Sequence, residues 1–278
     1  MTILSEKYNF RVEEVDALTG TLIGRPNTAT FRLQDLVGLD TSDKVSRFVI
    51  QNVKGDRYVD KLKERPMPKF MNFLLEHNFL GNKTGKGFYE KTSKKDEKGK
   101  SIINVLNLES LEYEPSIRPK MEIIKMAKGM ELMNKRLQYL VEGDAKEHHF
   151  FKDYFGALFA YSAQRVPEIS DQYFPVDDAM RTGYDWDYGP FEYRDLIGLD
   201  KGIELVQAVG ETVPQWILDL KSTGESTFYK YEKGQKLLHE RIDNIYEKHL
   251  ENFNKNPRTH ENEVTFINEL QDDIILAI

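Results

Sequence analysis

Phe31-Arg32-Leu33-Gln34-Asp35-Leu36-Val37-Gly38-Leu39-Asp40 returns 160 positions later as Phe191-Glu192-Tyr193-Arg194-Asp195-Leu196-Ile197-Gly198-Leu199-Asp200, with six of the ten residues identical. A period this long is too large for a stacked repeat array and points to two copies of one domain. Upstream of each copy lies an acidic helical turn, Glu14-Val15-Asp16-Ala17-Leu18 in one and Val176-Asp177-Asp178-Ala179-Met180 in the other. Pairing Ala17 with Ala179 leaves 14 positions to Phe31 and 12 to Phe191, so the first loop is expected to be two residues longer. Downstream, Gly87-Phe88-Tyr89-Glu90-Lys91 answers Thr227-Phe228-Tyr229-Lys230-Tyr231.

Working outward, most segments carry helical periodicity. Ser42 can cap a helix whose Val45, Phe48, Val49 and Val53 share a face, with Gly55 as a stop. A second helix runs from about Pro68 through Phe70, Phe73 and Leu74 to the Asn78–Gly81 region. Met121 to Val141 reads as one long helix. Phe151, Phe155, Leu158 and Phe159 form an aromatic stripe, and Val213-Pro214 opens a helix that turns Trp216, Ile217 and Leu220 inward. The N-terminal residues, polar from Ser5 onward, read as helix rather than as a signal peptide. The strand candidates are short: residues 87–90 and 102–106, paired across the polar loop 91–100. Residues 264–268 and 273–278 are β-like and suggest a hairpin cut off at the end of the chain.

Composition narrows the function. Among 278 residues, 40% are hydrophobic and 31% charged, enough for ordinary cores, and the net charge of −7 disfavours nucleic acid as a main partner. No cysteine is present, which removes disulfides, thiolate metal sites and a Cys nucleophile, and a reducing cytoplasm is the simplest setting. No apolar run approaches the ~20 residues of a membrane span.

Several tempting sites fail on spacing. Gly81-Asn82-Lys83-Thr84-Gly85-Lys86-Gly87 has three residues between its glycines where a phosphate loop needs four, and Gly87 stands where Ser or Thr would hold Mg²⁺. It reads as a turn feeding a strand. No Gly-x-Gly-x-x-Gly follows a strand, so the dinucleotide fingerprint is missing. His148 and His149 are adjacent and point about 100° apart on a helix, and His239 with His249 does not make a zinc motif, so no metal is expected. Asp177-Asp178 reads as a helix start favoured by the dipole, and Asp185-Trp186-Asp187 as loop. No nucleophile elbow appears.

Longer motifs resemble a known family. Asp177-Asp178-Ala179-Met180-Arg181-Thr182-Gly183-Tyr184, then Tyr188-Gly189-Pro190-Phe191-Glu192 and Asp195–Asp200, look like the signature of the C-terminal domain of 3-hydroxyacyl-CoA dehydrogenases. Val15–Gly20, Ile23-Gly24-Arg25-Pro26 and Ala29–Arg32 look like the same domain again, and Gly85-Lys86-Gly87-Phe88-Tyr89 is similar to its closing turn. The likeness covers about residues 1 to 258.

The resemblance implies a mainly α fold of two related helical domains, similar to the C-terminal domain of 6-phosphogluconate dehydrogenase, with short β-hairpins. The implied domains are 1–115, truncated at its N-terminus, and 116–258, with 259–278 opening a truncated enoyl-CoA hydratase-like domain. The arrangement is similar to a long form in which a Rossmann NAD domain precedes two helical domains and a hydratase domain follows. In that family the NAD-binding glycines and the catalytic Ser, His and Glu lie in the Rossmann domain. No catalytic or cofactor-binding residue is therefore carried over, and no cofactor is expected for this chain by itself. A further family Asn, in an Asn-Arg pair, would sit just ahead of Met1. Asn134-Lys135-Arg136 occupies the corresponding helix of the second copy with Lys inserted, and is given no role.

What the family implies for these residues lies on the substrate side: one wall of the acyl-CoA cleft, and a surface for homo-oligomers. Gly24, Arg25, Pro26, Asn27 and Thr28 are the substrate-cleft candidates, against the simpler reading of a shaped turn before the Phe31 helix. The implied activity is oxidation of 3-hydroxyacyl-CoA to 3-oxoacyl-CoA in fatty-acid β-oxidation, with NAD, a Rossmann domain and an enoyl-CoA hydratase domain as partners. The alternative is a non-catalytic helical binding or oligomerisation module.

Overall fold

The computed structural model describes residues 2–166, 168–232 and 235–238. Two compact units are present, Met1–Met126 and Ala127–Ile278. The β-like stretch 264–278, the start of the expected hydratase domain and His239, His249 and His260 lie outside the described residues.

The architecture is mainly α, as the periodicity requires. The first unit opens with α1 (Thr2–Tyr8) and α2 (Val12–Thr19), followed by α3 (Phe31–Val37), α4 (Leu39–Asn52), α5 (Arg57–Lys63) and α6 (Lys69–Glu76). A three-stranded antiparallel sheet closes it, β1 (Tyr89–Lys95), β2 (Ser101–Leu106) and β3 (Tyr113–Pro115), in the order β1-β2-β3. Tyr89 pairs with Val105, and Val105 with Glu114. Helix α7 (Glu122–Lys128) leads on to α8 (Met133–Glu142), α9 (Lys146–Gln164), α10 (Phe174–Tyr184), α11 (Pro190–Ile197), α12 (Leu199–Ala208) and α13 (Gln215–Ser222). The antiparallel hairpin β4 (Tyr229–Glu232) and β5 (Gln235–Leu238) follows.

Each core is assembled from the stripes visible in the sequence. In the first unit Phe31, Phe70 and Phe88 are fully buried, with the Phe31 and Phe88 rings 4.5 Å apart. In the second, Phe191, Trp216 and Phe228 occupy the corresponding triangle, Phe191 and Phe228 at 5.1 Å and Trp216 and Phe228 at 5.8 Å. Burying one such aromatic contributes about 1.5–3 kcal/mol. Helix α9 lays Phe151, Phe155 and Phe159 into the interior, and all three are buried.

Four expectations need correction. The helix expected over 121–141 is two helices, because Leu132 turns extended (φ −80°, ψ 122°) and caps α8. The Arg136 guanidinium then donates to the Met130 carbonyl at 2.7 and 3.2 Å, closing the break. Helix α4 starts at Leu39, not at Ser42, because Gly38 adopts φ 99° and lets α3 turn directly into α4. Gly198 does the same between α11 and α12 with φ 108°. Strands β3, β4 and β5 were not anticipated: three- and four-residue strands with mixed polarity carry almost no period-2 signal. Finally, the structure pairs Asp16 with Asp177 rather than Ala17 with Ala179, so the spans to Phe31 and Phe191 differ by one position, 15 against 14, not two; the connection itself runs over 20–30 in the first unit and 185–189 in the second.

Candidate functional site

The residues with the most perturbed chemistry form one constellation, built twice. In the first unit Asp16, on α2, projects onto the start of α3. Its Oδ1 accepts the backbone N–H groups of Thr30 (3.0 Å) and Phe31 (2.7 Å), and its Oδ2 accepts that of Arg32 (3.2 Å). A helix leaves its first N–H groups without intrahelical partners, and a carboxylate there also complements the dipole. The Tyr89 hydroxyl, reaching from β1, donates to the same Oδ2 at 2.8 Å. Asp35, at the other end of α3, accepts the backbone N–H groups of Phe88 and Tyr89, each at 2.8 Å. Tyr89 therefore binds one acid through its main chain and the other through its side chain.

The second unit repeats this arrangement except for the Thr30 bond, because Pro190 stands at that position and has no N–H to give. Asp177, on α10, accepts the N–H groups of Phe191 (2.8 Å) and Glu192 (3.0 Å) and the Tyr229 hydroxyl (2.7 Å). Asp195 accepts the N–H groups of Phe228 (2.7 Å) and Tyr229 (3.0 Å). Asp177 lies in the first turn of α10, as the sequence suggests, and also serves the helix after its own. Glycines make room for these acids. A Cβ at Gly87 would run into the Asp35 carboxylate, and one at Gly189 would run into Asp177. The Gly81–Gly87 turn, passed over as a phosphate loop, is the buttress of Asp35: Gly81 sits at φ 96° against the Asp35 backbone.

Burial raises all four acids above the ordinary carboxylate range, opposed by the N–H and O–H donors. Asp35 is pushed up to about 6, and Asp177 and Asp195 to about 7. Burial, with the neighbouring acids, also pushes the Tyr89 and Tyr229 hydroxyls up, so both stay protonated donors. A cation covers each ring, Arg32 4.0 Å from the centre of Tyr89 and Lys236 4.1 Å from that of Tyr229. Lys236 also reaches Glu192 at 2.7 Å, a residue that stands where the first unit has Arg32.

Chemically these clasps are closed. Every acid is filled by main-chain donors, and each hydroxyl is committed to an acid that those donors already hold. Their work is to tie two helices to a hairpin. Sequence reading singled out Asp177 and passed over Asp35, Asp195, Tyr89 and Tyr229. The signal was present: Asp35 and Asp195 are among the identities of the ten-residue repeat, and Phe-Tyr recurs in both closing turns.

The candidate cleft residues form a turn between α2 and α3. Gly24 is buried at φ 74°, the Arg25 N–H donates to Gly20 at 3.2 Å, and the Ala29 N–H donates to Pro26 at 2.9 Å. Asn27 is exposed at the tip. His148 is buried, with Nδ1 3.0 Å from the Leu140 carbonyl, and His149 does not share its position. Among the described residues no group of three His, Asp or Glu converges as a metal site.

With this geometry in place the relatives become informative. Residues 2–91, which hold the whole first clasp, match the family model described as 3-hydroxyacyl-CoA dehydrogenase, C-terminal domain. Residues 2–91 belong to the 3-hydroxyacyl-CoA dehydrogenase C-terminal domain family. A Bacillus subtilis protein described as "Probable 3-hydroxyacyl-CoA dehydrogenase" is 37% identical over 237 residues, 84% of this chain and 28% of its own length. A Deinococcus radiodurans protein of the same description is 43% identical over 95 residues, 34% of this chain and 25% of its own. The "Fatty acid oxidation complex subunit alpha" of Vibrio cholerae is 28% identical over 175 residues, 63% of this chain and 20% of its own. The chain therefore spans roughly a quarter of the curated relatives it matches. No solved structure matches. No helix among the described residues is long and apolar enough to cross a membrane.

Proposed function

We propose that this chain is the helical substrate-side and assembly part of an NAD-dependent 3-hydroxyacyl-CoA dehydrogenase of fatty-acid β-oxidation, in which 3-hydroxyacyl-CoA is oxidised to 3-oxoacyl-CoA. The observation that carries the reading is the dehydrogenase-domain match over residues 2–91, extended by the 237-residue similarity to the Bacillus subtilis relative. The chain is a domain duplication, supported by two clasps that share all their donors and acceptors but the Thr30 N–H, whose place Pro190 takes. Its setting is the cytoplasm.

NAD would supply the hydride acceptor in the complete enzyme. The described residues do not fit that cofactor: both sheets are antiparallel, and the one glycine-rich turn is spent on Asp35. No reaction step is assigned to this chain for that reason. Its partners are a Rossmann NAD domain and an enoyl-CoA hydratase domain, in cis or in trans, and an acyl-CoA. Its own share is to wall the cleft, with Gly24, Arg25, Pro26, Asn27 and Thr28 as the side facing substrate.

The test is NADH-linked reduction of acetoacetyl-CoA, first with this chain alone and then with a Rossmann-domain partner added. Turnover is expected only in the mixture. Turnover by the chain alone defeats the reading.

A further inference from the structure

Cations gather on one hairpin of the first unit. The chain's charge of −7 is uneven: Met1–Met126 holds 22 Lys and Arg against 18 Asp and Glu, and the remainder 17 against 28. Five of those cations, Lys91, Lys94, Lys95, Lys98 and Lys100, lie within ten residues of the β1–β2 hairpin, against Asp96 and Glu97. All five are exposed, and none is ion-paired among the described residues. The nearby acids are committed elsewhere. Asp96 Oδ1 accepts the Lys98 and Lys100 N–H groups at 2.9 and 2.8 Å and so shapes the tip. Glu90 is held by Lys86 at 2.9 Å and by Asn104 at 3.0 Å.

The strip of cations starts beside the candidate cleft turn. Arg32, four positions past Thr28, is exposed and lies 4.0 Å over the Tyr89 ring. Tyr89 and Lys91 are alternate residues of β1 and share a face of it, and the strand runs on roughly 20 Å from Tyr89 to Lys95. The second unit cancels the same feature. Glu192 stands where Arg32 does, and it takes Lys236 at 2.7 Å and Arg181 at 3.3 Å. One copy thus pairs its hairpin cation, and the other leaves its hairpin lysines unpaired. Lysines on an edge strand such as β1 also discourage strand-to-strand association. That role covers Lys91, Lys94 and Lys95, but not Arg32 on α3 or Lys98 and Lys100 in the tip.

We propose that Arg32 and the hairpin lysines bind the phosphates of the acyl-CoA, the diphosphate beside Arg32 and Lys91 and the 3′-phosphate of the adenosine farther out along β1. The inference rests on the dehydrogenase reading and names the part of the substrate that this unit holds. An acyl-CoA carries its phosphates remote from the thioester, across the pantetheine arm. A cation strip leading away from the 24–28 turn is placed to meet them. Lysine ammonium groups suit phosphate as adaptable point charges, and at exposed positions the attraction weakens with salt.

The experiment titrates the full chain with CoA, dephospho-CoA and ATP by calorimetry at low salt. CoA is expected to bind, and the other two at least fivefold more weakly. Dephospho-CoA lacks the 3′-phosphate, and ATP carries its phosphates on one side of the ribose only. Lys91→Glu with Lys95→Glu is expected to weaken CoA binding tenfold or more. Glutamate keeps the edge strand charged, and hydrogen exchange over residues 101–106 checks that the hairpin persists. Lys69→Glu with Lys125→Glu changes the net charge equally and should cost less than twofold. No CoA binding, equal affinity for dephospho-CoA or ATP, or the same loss from both double variants would overturn the proposal. The expected binding pattern without turnover in the Rossmann-domain mixture would leave the strip standing and count against the dehydrogenase reading.

Discussion

Removing one oxygen from Tyr229 isolates the clasp from the aromatic packing around it. Tyr229 is 2% exposed and its hydroxyl donates to Asp177 Oδ2 at 2.7 Å, so Tyr229→Phe leaves the ring in place and deletes a single bond. Bonds to charged acceptors are worth about 1.5–3 kcal/mol. Asp177 Oδ2 keeps the Glu192 N–H at 3.0 Å, so the acceptor is not orphaned, and the loss should fall near 2 kcal/mol. The hydroxyl favours the ionised form of Asp177, whose value is already pushed up to about 7 by burial. The loss should therefore be larger at pH 8 than at pH 5. Urea unfolding followed by tryptophan fluorescence reads this directly. The only two tryptophans, Trp186 and Trp216, both belong to the second unit. The midpoint should fall with an unchanged slope. A shift worth less than about 0.5 kcal/mol, or one equal at the two pH values, would refute the clasp as a stabilising bond.

Titration should show the clasps as well. Asp177 and Asp195 have folded values of about 7, above the ~3.9 of an unfolded aspartate, so their contribution is present below about pH 4 and is lost as pH rises to about 7. Asp177→Asn should flatten that slope in the same unfolding assay. Gly202→Ser should destabilise the second unit by about 1–3 kcal/mol, because a Cβ there meets Arg194 Nε at 2.8 Å. The first unit carries Ser42 and Gln34 at these two positions, so adding Arg194→Gln should restore part of the loss, measured as a coupling of about 1 kcal/mol in a double-mutant cycle. Gly87→Ala should cost about 3 kcal/mol or more, read as accelerated hydrogen exchange in β1, because its Cβ displaces the Asp35 carboxylate.

Much of the fold was legible because long aromatic and aliphatic stripes fix which helix faces turn inward. Phe151, Phe155 and Phe159 place α9, and Trp216, Ile217 and Leu220 place α13. The repeat around Asp35 and Asp195 marked the clasp before its chemistry was visible. Sequence cannot show that a carboxylate on one helix caps the next, as Asp16 and Asp177 do across 15 and 14 positions. Periodicity also predicted burial on α4 that the structure withholds. Val45 has the right spacing yet is 48% exposed, because the period records only that a face is apolar. The break between α7 and α8 escaped notice because Gly129 is tolerated in helices and Leu132 carries no stop signal.

A chimera tests the family assignment most directly: this chain in place of the matching 237 residues of the Bacillus subtilis relative. Reduction of acetoacetyl-CoA by NADH within about tenfold of the parent, a penalty of about 1.4 kcal/mol, is the predicted result. A soluble chimera with native-like helical content, an intact NAD domain and no dehydrogenase activity would contradict it.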